Sequence, residues 1–252
     1  MGEAYNFINQ SRQEEETADL GWLSLLFPRR CPVCHDALSV PGEKICPDCR
    51  EEIHFVEEPT CRCCGKPVMS WTVEKCYDCC RYHRSFRGGV SLMHYDEVGR
   101  STMKAFKFEG RQEYALYYIE EILSRYGNRI RNFDADVIIP VPVHESKRRS
   151  RGYNQAELLG RELSVGIGVP MRTDILIRYR KTEAQKELNA EERQRNLESA
   201  LCVEGGIEGI ERVILVDDIY TTGSTLEACS RVLRRAGVMD IFVVTVCIGE
   251  NM

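Results

Sequence analysis

The sequence predicts an α/β fold, a parallel sheet flanked by helices, with a small cysteine-rich module in front of it. Three observations carry this. Val137-Ile138-Ile139, Val213-Ile214-Leu215-Val216 and Ile241 to Ile248 are short, almost wholly apolar runs, as strands buried on both faces are. Stretches with apolar residues at three- and four-residue steps surround them, as amphipathic helices require. Ten of the thirteen cysteines crowd between Cys31 and Cys80.

At 252 residues the chain has room for one substantial core and a small module. We expect a tail with a short apolar segment over 1–27, a double metal ribbon over 28–84 and the main domain over 85–252. Met1 to Asp19 is polar and acidic, and the cluster Leu20, Trp22, Leu23, Leu25, Leu26 and Phe27 reads as a segment that docks on the protein. The formal charge of −5 gives no whole-protein argument for nucleic acid, so any such binding needs a local basic face. No apolar run approaches the length of a membrane span, and the N-terminus lacks a signal-peptide pattern. A cytoplasmic, reducing compartment is therefore expected, and the cysteines read as metal ligands rather than disulfides.

Four C-x-x-C knuckles begin at Cys31, Cys46, Cys61 and Cys76, each fifteen residues after the last. A knuckle lets two thiolates grip one ion, and two knuckles complete a tetrahedral Cys₄ site. Eight such cysteines imply two structural zinc ions. The simplest pairing takes Cys31, Cys34, Cys46 and Cys49 for one ion and Cys61, Cys64, Cys76 and Cys79 for the other. A crossed pairing, or iron in place of zinc, satisfies the same spacing. Cys63 and Cys80 are spares that could replace a neighbour. His35, His54 and His83 read as surface residues. Cys202, Cys229 and Cys247 fall in strand or helix patterns and read as core.

Past the ribbons, Phe86 to Tyr95 reads as a strand and Asp96 to Phe108 as a helix, carrying Arg100, Lys104 and Lys107 with Arg111 just beyond. A second helix spans Tyr114 to Asn128, with Leu116, Ile119 and Leu123 on its apolar side. The strand at Val137 runs into Pro140-Val141-Pro142-Val143-His144 and a basic loop with Lys147, Arg148, Arg149 and Arg151, before a helix from Ala156 to Val165. Arg178 to Asn196 is polar and rich in both charges, with Asn189 and Glu192 spaced as a capping box. A short strand follows around Ala200 to Val203.

The most telling stretch is Val213 to Thr225. An apolar strand runs out into Asp217 and Asp218, then into the turn Thr221-Thr222-Gly223-Ser224-Thr225, then into a helix with Leu226, Cys229, Val232, Leu233 and Ala236 on its apolar side, closed by Gly237. Strand end, hydroxyl-rich turn and helix N-terminus together make an anion site. Paired aspartates suit a sugar diol or a metal. Phosphate, sugar and metal side by side indicate a phosphorylated sugar, whereas the plain alternative is a βα turn with an acidic cap.

The same thirteen residues resemble the phosphoribosyl-pyrophosphate (PRPP) motif of type I phosphoribosyltransferases, which implies that fold for the main domain. By this resemblance Asp217 and Asp218 are the catalytic pair and hold the ribose hydroxyls, directly or through Mg²⁺. Thr221, Thr222, Gly223, Ser224 and Thr225 wrap the 5′-phosphate. The loop with His144, Lys147, Arg148 and Arg151 would receive pyrophosphate, at the carboxyl end of a strand where open α/β sheets bind ligands. By the same resemblance the segment with Thr182 and Gln185 is the candidate for the mobile loop that closes over such a centre, the plain alternative being an exposed helix–loop linker.

The order of motifs is narrower still. A double ribbon is followed by Lys107-Phe108-Glu109-Gly110-Arg111, Pro140-Val141-Pro142, Arg151-Gly152-Tyr153-Asn154-Gln155, then Thr182, Gln185, Leu188, Arg193 and Asn196, and the PRPP motif. This resembles the ComF (ComFC/GntX-like) family from about Leu25 to the C-terminus. The resemblance implies a role in DNA uptake during natural competence, with partners in the uptake machinery at the inner face of the membrane. It implies PRPP with Mg²⁺ as ligand, and an uncertain activity, the transfer of phosphoribosyl to an unidentified acceptor with release of pyrophosphate. The alternative is a non-catalytic protein that senses PRPP or binds single-stranded DNA, with Arg100, Lys104, Lys107 and Arg111 joining Lys147 to Arg151 as a basic track. The chain stops at Met252, soon after the last strand, which leaves no length for a base-recognising hood there. Acceptor recognition is then expected from the region before Val137, from the ribbon or from a partner.

Overall fold

The computed structural model describes residues 28–40, 42–180 and 195–249. The tail and apolar cluster before residue 28, and Thr182, Gln185, Leu188, Asn189, Glu192 and Arg193, lie outside the described residues. Two compact units divide the chain, Met1–Glu52 and Ile53–Met252.

The first unit contains one cysteine ribbon. Arg30 and Ala37 bridge across a tight hairpin in which the His35 amide donates to the Cys31 carbonyl at 3.0 Å. Helix α1 (Pro47–Glu51) follows, with Cys46 as N-cap and Pro47 in its first turn, where a missing N–H costs nothing. The second ribbon, in the larger unit, repeats this plan. Thr60 and Pro67 bridge, the Gly65 amide donates to the Cys61 carbonyl at 2.9 Å, and helix α2 (Tyr77–Arg81) is N-capped by Cys76. The even spacing of the knuckles therefore resolves into two copies of one unit, each a hairpin knuckle followed by a helical knuckle.

The larger unit is built on a four-stranded parallel sheet. Its strands are β1 (Gly88–His94), β2 (Val137–Pro140), β5 (Arg212–Tyr220) and β6 (Asp240–Ile248), in the order β1-β6-β5-β2. Helices α3 (Glu97–Phe108) and α4 (Tyr114–Arg131) connect β1 to β2. Helices α5 (Glu145–Arg151) and α6 (Gln155–Ile167) follow β2, and α7 (Ser224–Arg235) joins β5 to β6. Strands β3 (Leu176–Arg178) and β4 (Leu201–Val203) form a separate antiparallel pair.

The expected parallel sheet with flanking helices is present, with two differences in detail. The basic stretch after β2 is a short helix rather than a loop. Strand β5 runs on through both aspartates to Tyr220 because Asp217, Ile219 and Tyr220 stay in register with β6. Val213 to Val216 are essentially inaccessible, each side chain contributing roughly 1.5–3 kcal/mol of burial.

Connections out of β2 and β5 run in opposite directions. From β2 the chain passes through α6 to Pro170–Arg172, which bonds to the outer side of β2: Ile138 N–H to Pro170 at 2.9 Å and Arg172 N–H to Ile138 at 2.9 Å. From β5 it passes through α7 to β6 on the other side. A crevice at the strands' carboxyl ends opens where such connections diverge, and here that point lies between β2 and β5.

A candidate phosphoribosyl site at the end of β5

Asp217 and Asp218 lie near the carboxyl end of β5, at the crevice. The Asp217 carboxylate accepts a hydrogen bond from its neighbour's amide at 2.9 Å. Burial, and then the charge of Asp218, push Asp217 up to about 7, against the pull of Lys107 and Lys147. Lys107, from the last turn of α3, places Nζ 2.9 Å from Oδ1 of Asp218, and both side chains are mostly buried.

The turn that follows is held open by Gly223, whose φ of +75° few other residues adopt. A methyl group there would also run into the Tyr220 ring. The Thr222 and Ser224 hydroxyls approach to 2.8 Å on the exposed side of the turn. Behind them α7 begins, and the first N–H groups of a helix have no acceptor within it. Hydroxyls, helix start and paired carboxylates thus stand within one strand–turn–helix corner.

Cations face this corner. The Lys147 ammonium is pushed down by burial and by Arg178, Arg151 and Lys107 around it, with Asp218 opposing. Arg178, the last residue of β3, is likewise lowered by burial, with Cys229 and Asp217 opposing. Lys107 thus pairs with Asp218, Lys147 and Arg178 lie close enough to feel the aspartates, and Arg151 neighbours Lys147. The sequence reading places Lys107 in a basic track and Arg178 in the polar segment after it, and neither at this corner. Lys107 sits in an amphipathic helix beside exposed Arg100 and Lys104, and only the end of α3 against β5 turns it inward. Arg178 reads in the sequence as the start of the polar Arg178–Asn196 segment, and the structure makes it the last residue of β3 instead.

The basic helix is anchored by the residues after it. Gly152 ends α5 with a φ of +82°. The buried Tyr153 hydroxyl donates to the Phe106 carbonyl at 2.5 Å. Asn154 donates to the Val141 carbonyl at 3.1 Å and caps α6 through the Ala156 amide at 3.1 Å. Gln155 accepts from Arg151 at 2.9 Å, and the same guanidinium lies 4.9 Å from the centre of the exposed Phe108 ring. The remaining basic residues of this stretch differ in use. Arg148 pairs with Glu157 at 3.2 Å, Arg149 pairs with Glu145, and His144 caps α5 by accepting the Ser146 amide at 3.1 Å. Arg100 donates to the Tyr95 carbonyl at 3.4 Å, Lys104 lies 3.9 Å from Glu109, and Arg111 has its Nε buried.

The eight knuckle cysteines form two groups, Cys31/Cys34/Cys46/Cys49 and Cys61/Cys64/Cys76/Cys79, with sulfurs within 4.8 Å of one another in each. Cys34 and Cys46 sulfurs are 3.9 Å apart, and those of Cys64 and Cys76 are 3.6 Å apart. A tetrahedral zinc with bonds of ~2.3 Å separates its sulfurs by ~3.8 Å, so the groups fit that ion. Cys63, which donates to the Phe86 carbonyl at 3.5 Å, and Cys80 belong to neither group, nor does any histidine among the described residues. Cys229 and Cys247 are fully buried and Cys202 is half-buried. No helix among the described residues is long and apolar enough to cross a membrane.

Residues 22–80 match the double zinc ribbon domain family. Competence protein F of Haemophilus influenzae is 32% identical over 227 residues, covering 86% of this chain and 96% of that protein. Competence protein ComFC of Bacillus subtilis is 28% identical over 78% of this chain and 80% of its own length. The DNA utilization protein YhgH of Escherichia coli is 27% identical, over 88% of this chain and 98% of that protein. Among solved structures, a purine phosphoribosyltransferase from Pyrococcus horikoshii is similar over 52% of this chain and 74% of that chain, at 17% identity and a TM-score of 0.34. That superposition is too loose to bear on function.

Proposed function

The chain belongs to the ComF family, and from that premise we propose that it binds PRPP at the carboxyl end of β5 and acts in DNA uptake. In this reading it can transfer the phosphoribosyl group to an acceptor and release pyrophosphate. The observation that carries it is the meeting of Asp217, Asp218 and the 221–225 turn with Lys107, Lys147 and Arg178, and with Arg151 beside Lys147.

Each part has a chemical task. The 221–225 turn and the start of α7 take the 5′-phosphate. Asp217 and Asp218 accept hydrogen bonds from the ribose hydroxyls, and a hydroxyl reaching Asp218 competes with Lys107. Lys147 and Arg151 take the pyrophosphate, whose bond to C1′ breaks with the electron pair leaving on oxygen. The cleavage passes through an oxocarbenium-like state, which the acceptor's lone pair then captures. Mg²⁺ bound with PRPP supplies further charge neutralisation at the leaving group.

Calorimetric titration of Mg-PRPP onto the wild type and an Asp217→Asn/Asp218→Asn variant tests the site. Binding is expected to the first and at least tenfold weaker to the second; equal binding removes the assignment. Pyrophosphate release with a panel of nucleobases, nucleosides and oligonucleotides tests transfer. Binding without release under any acceptor leaves a PRPP sensor.

A second reading, single-stranded DNA binding, is favoured by one observation on the second ribbon. Exposed Tyr77 and Tyr82 flank Arg81, whose guanidinium donates to the Tyr77 hydroxyl at 3.2 Å and lies 5.4 Å from the centre of the Tyr82 ring. Aromatic faces between cations suit unstacked bases. Salt-dependent binding of an oligonucleotide, lost in Arg81→Ala/Tyr82→Ala and kept in Asp218→Asn, would support it. No binding at low salt removes it.

A further inference from the structure

The second ribbon is not an appendage of the 221–225 turn but one of its walls. Arg84, just past the ribbon's last helix, donates through Nη2 to the Thr222 carbonyl at 2.9 Å. Ser85 donates twice to the buried Glu227 carboxylate in the first turn of α7, from its amide and its hydroxyl, both at 2.8 Å. Arg234, further along α7, returns a bond from Nε to the Ser85 carbonyl at 3.0 Å.

Tyr220, directly beneath Gly223, completes the join. Its ring packs edge-on to Phe86, 6.4 Å between centroids. The Lys66 ammonium sits 5.9 Å from the same ring while pairing at 2.8 Å with Asp78, which lies between Cys76 and Cys79. Cys61, Cys64, Cys79, Phe86, Tyr220 and Leu226 belong to one continuous core. A change in the path of the Cys76–Phe86 segment must therefore displace either the floor of the turn or its side.

We propose that a metal ion held by Cys61, Cys64, Cys76 and Cys79 sets the shape of the 221–225 turn through Arg84, Ser85 and Tyr220, so that metal occupancy and ligand binding at this turn are thermodynamically linked. This rests on the phosphoribosyl reading for the identity of the ligand, but not for the linkage itself. A charged donor on a backbone carbonyl, together with the paired bonds to Glu227, is worth enough to change an opening equilibrium by about tenfold. Linkage is reciprocal, so a ligand gripping the turn must tighten the equilibrium binding of the ion by the same factor.

Hydrogen exchange on the full chain decides the matter. Arg84→Gln and Ser85→Ala should keep both zinc ions by elemental analysis, while the amides of 221–227 exchange about tenfold faster than in the wild type. Cys34→Ser, which removes a ligand of the other ion, should leave those amides unchanged. Zinc affinity, read by competition with a chromogenic chelator at equilibrium, should rise about tenfold with Mg-PRPP in the wild type and not in Arg84→Gln. Unchanged exchange in both Arg84→Gln and Ser85→Ala overturns the linkage. If the turn responds to these variants but PRPP binds to none of them, nor to the wild type, the linkage stands and the ligand assignment falls.

Discussion

Replacing Asp217 by asparagine isolates the cost of holding a second carboxylate at the end of β5. Burial and the neighbouring charge of Asp218 raise Asp217 from 3.8 to about 7. At 1.36 kcal/mol per tenfold change, that difference is worth about 4 kcal/mol against the folded state once the group is ionised. The sign follows from the upward shift. The protonated folded form is favoured, its stability is fully present below pH ~4, and it is lost as pH rises to ~7, with no further change above. Between pH 5 and pH 8 the loss is about 3 kcal/mol at most, and water reaching the half-buried carboxylate brings it nearer 2 kcal/mol. Asparagine keeps the acceptor for the Asp218 amide but has no charge to bury. Thermal or urea unfolding of both proteins at pH 5, 6, 7 and 8 should therefore show curves that diverge as pH rises, the wild type falling by ~2–3 kcal/mol relative to the variant, a few degrees per kcal/mol for a chain of this size. Other titrating groups are shared and largely cancel in the difference. Parallel curves from pH 5 to pH 8 would refute the reasoning, because they would mean Asp217 ionises as easily in the folded chain as in the unfolded one.

Three further outcomes follow from the same geometry. Lys107→Met strips the partner from Asp218 and should cost about 3 kcal/mol, as breaking a buried pair does; equal stability of variant and wild type in urea melts would count against the pair. Gly223→Ala forces a left-handed φ and a clash with Tyr220, and should cost about 2 kcal/mol and abolish Mg-PRPP binding, read by unfolding and calorimetry together. Cys34→Ser should lower zinc from two ions per chain to one by elemental analysis, whereas zinc retained at two would mean another ligand completes that site.

Much of this architecture is legible along the chain because its signals are local. Val213 to Val216 read as a doubly buried strand from composition alone, and Gly223 between hydroxyl residues marks a turn wherever it occurs. The knuckle cysteines carry their chemistry in a three-residue spacing. Asp96 and Asn154 stand at the starts of the helices expected from Asp96 and Ala156, and cap them. The Arg151 to Gln155 run was readable as a motif, but its work was not: Tyr153 and Asn154 face Phe106 and Val141, partners that only the folded chain brings near.

Lys107 shows where sequence reading stops. On a helical wheel it belongs with Arg100 and Lys104, and a basic track is the natural inference. What moves it to Asp218 is the way α3 ends beside β5, a contact across more than a hundred residues. Arg178 depends in the same way on the antiparallel pair of β3 and β4, whose partner strand begins after residue 200.

The sequence by itself determined the strand, the paired aspartates and the turn of the candidate phosphoribosyl corner, together with two metal-binding ribbons, because each is a short pattern whose chemistry and backbone needs are met by neighbours in the chain. The tertiary structure alone decided which cations face that corner and that the second ribbon, through Arg84, Ser85 and Tyr220, forms its wall. Those are packing outcomes between segments distant in sequence, set by how the helices and ribbon close over the sheet, and no local pattern encodes them.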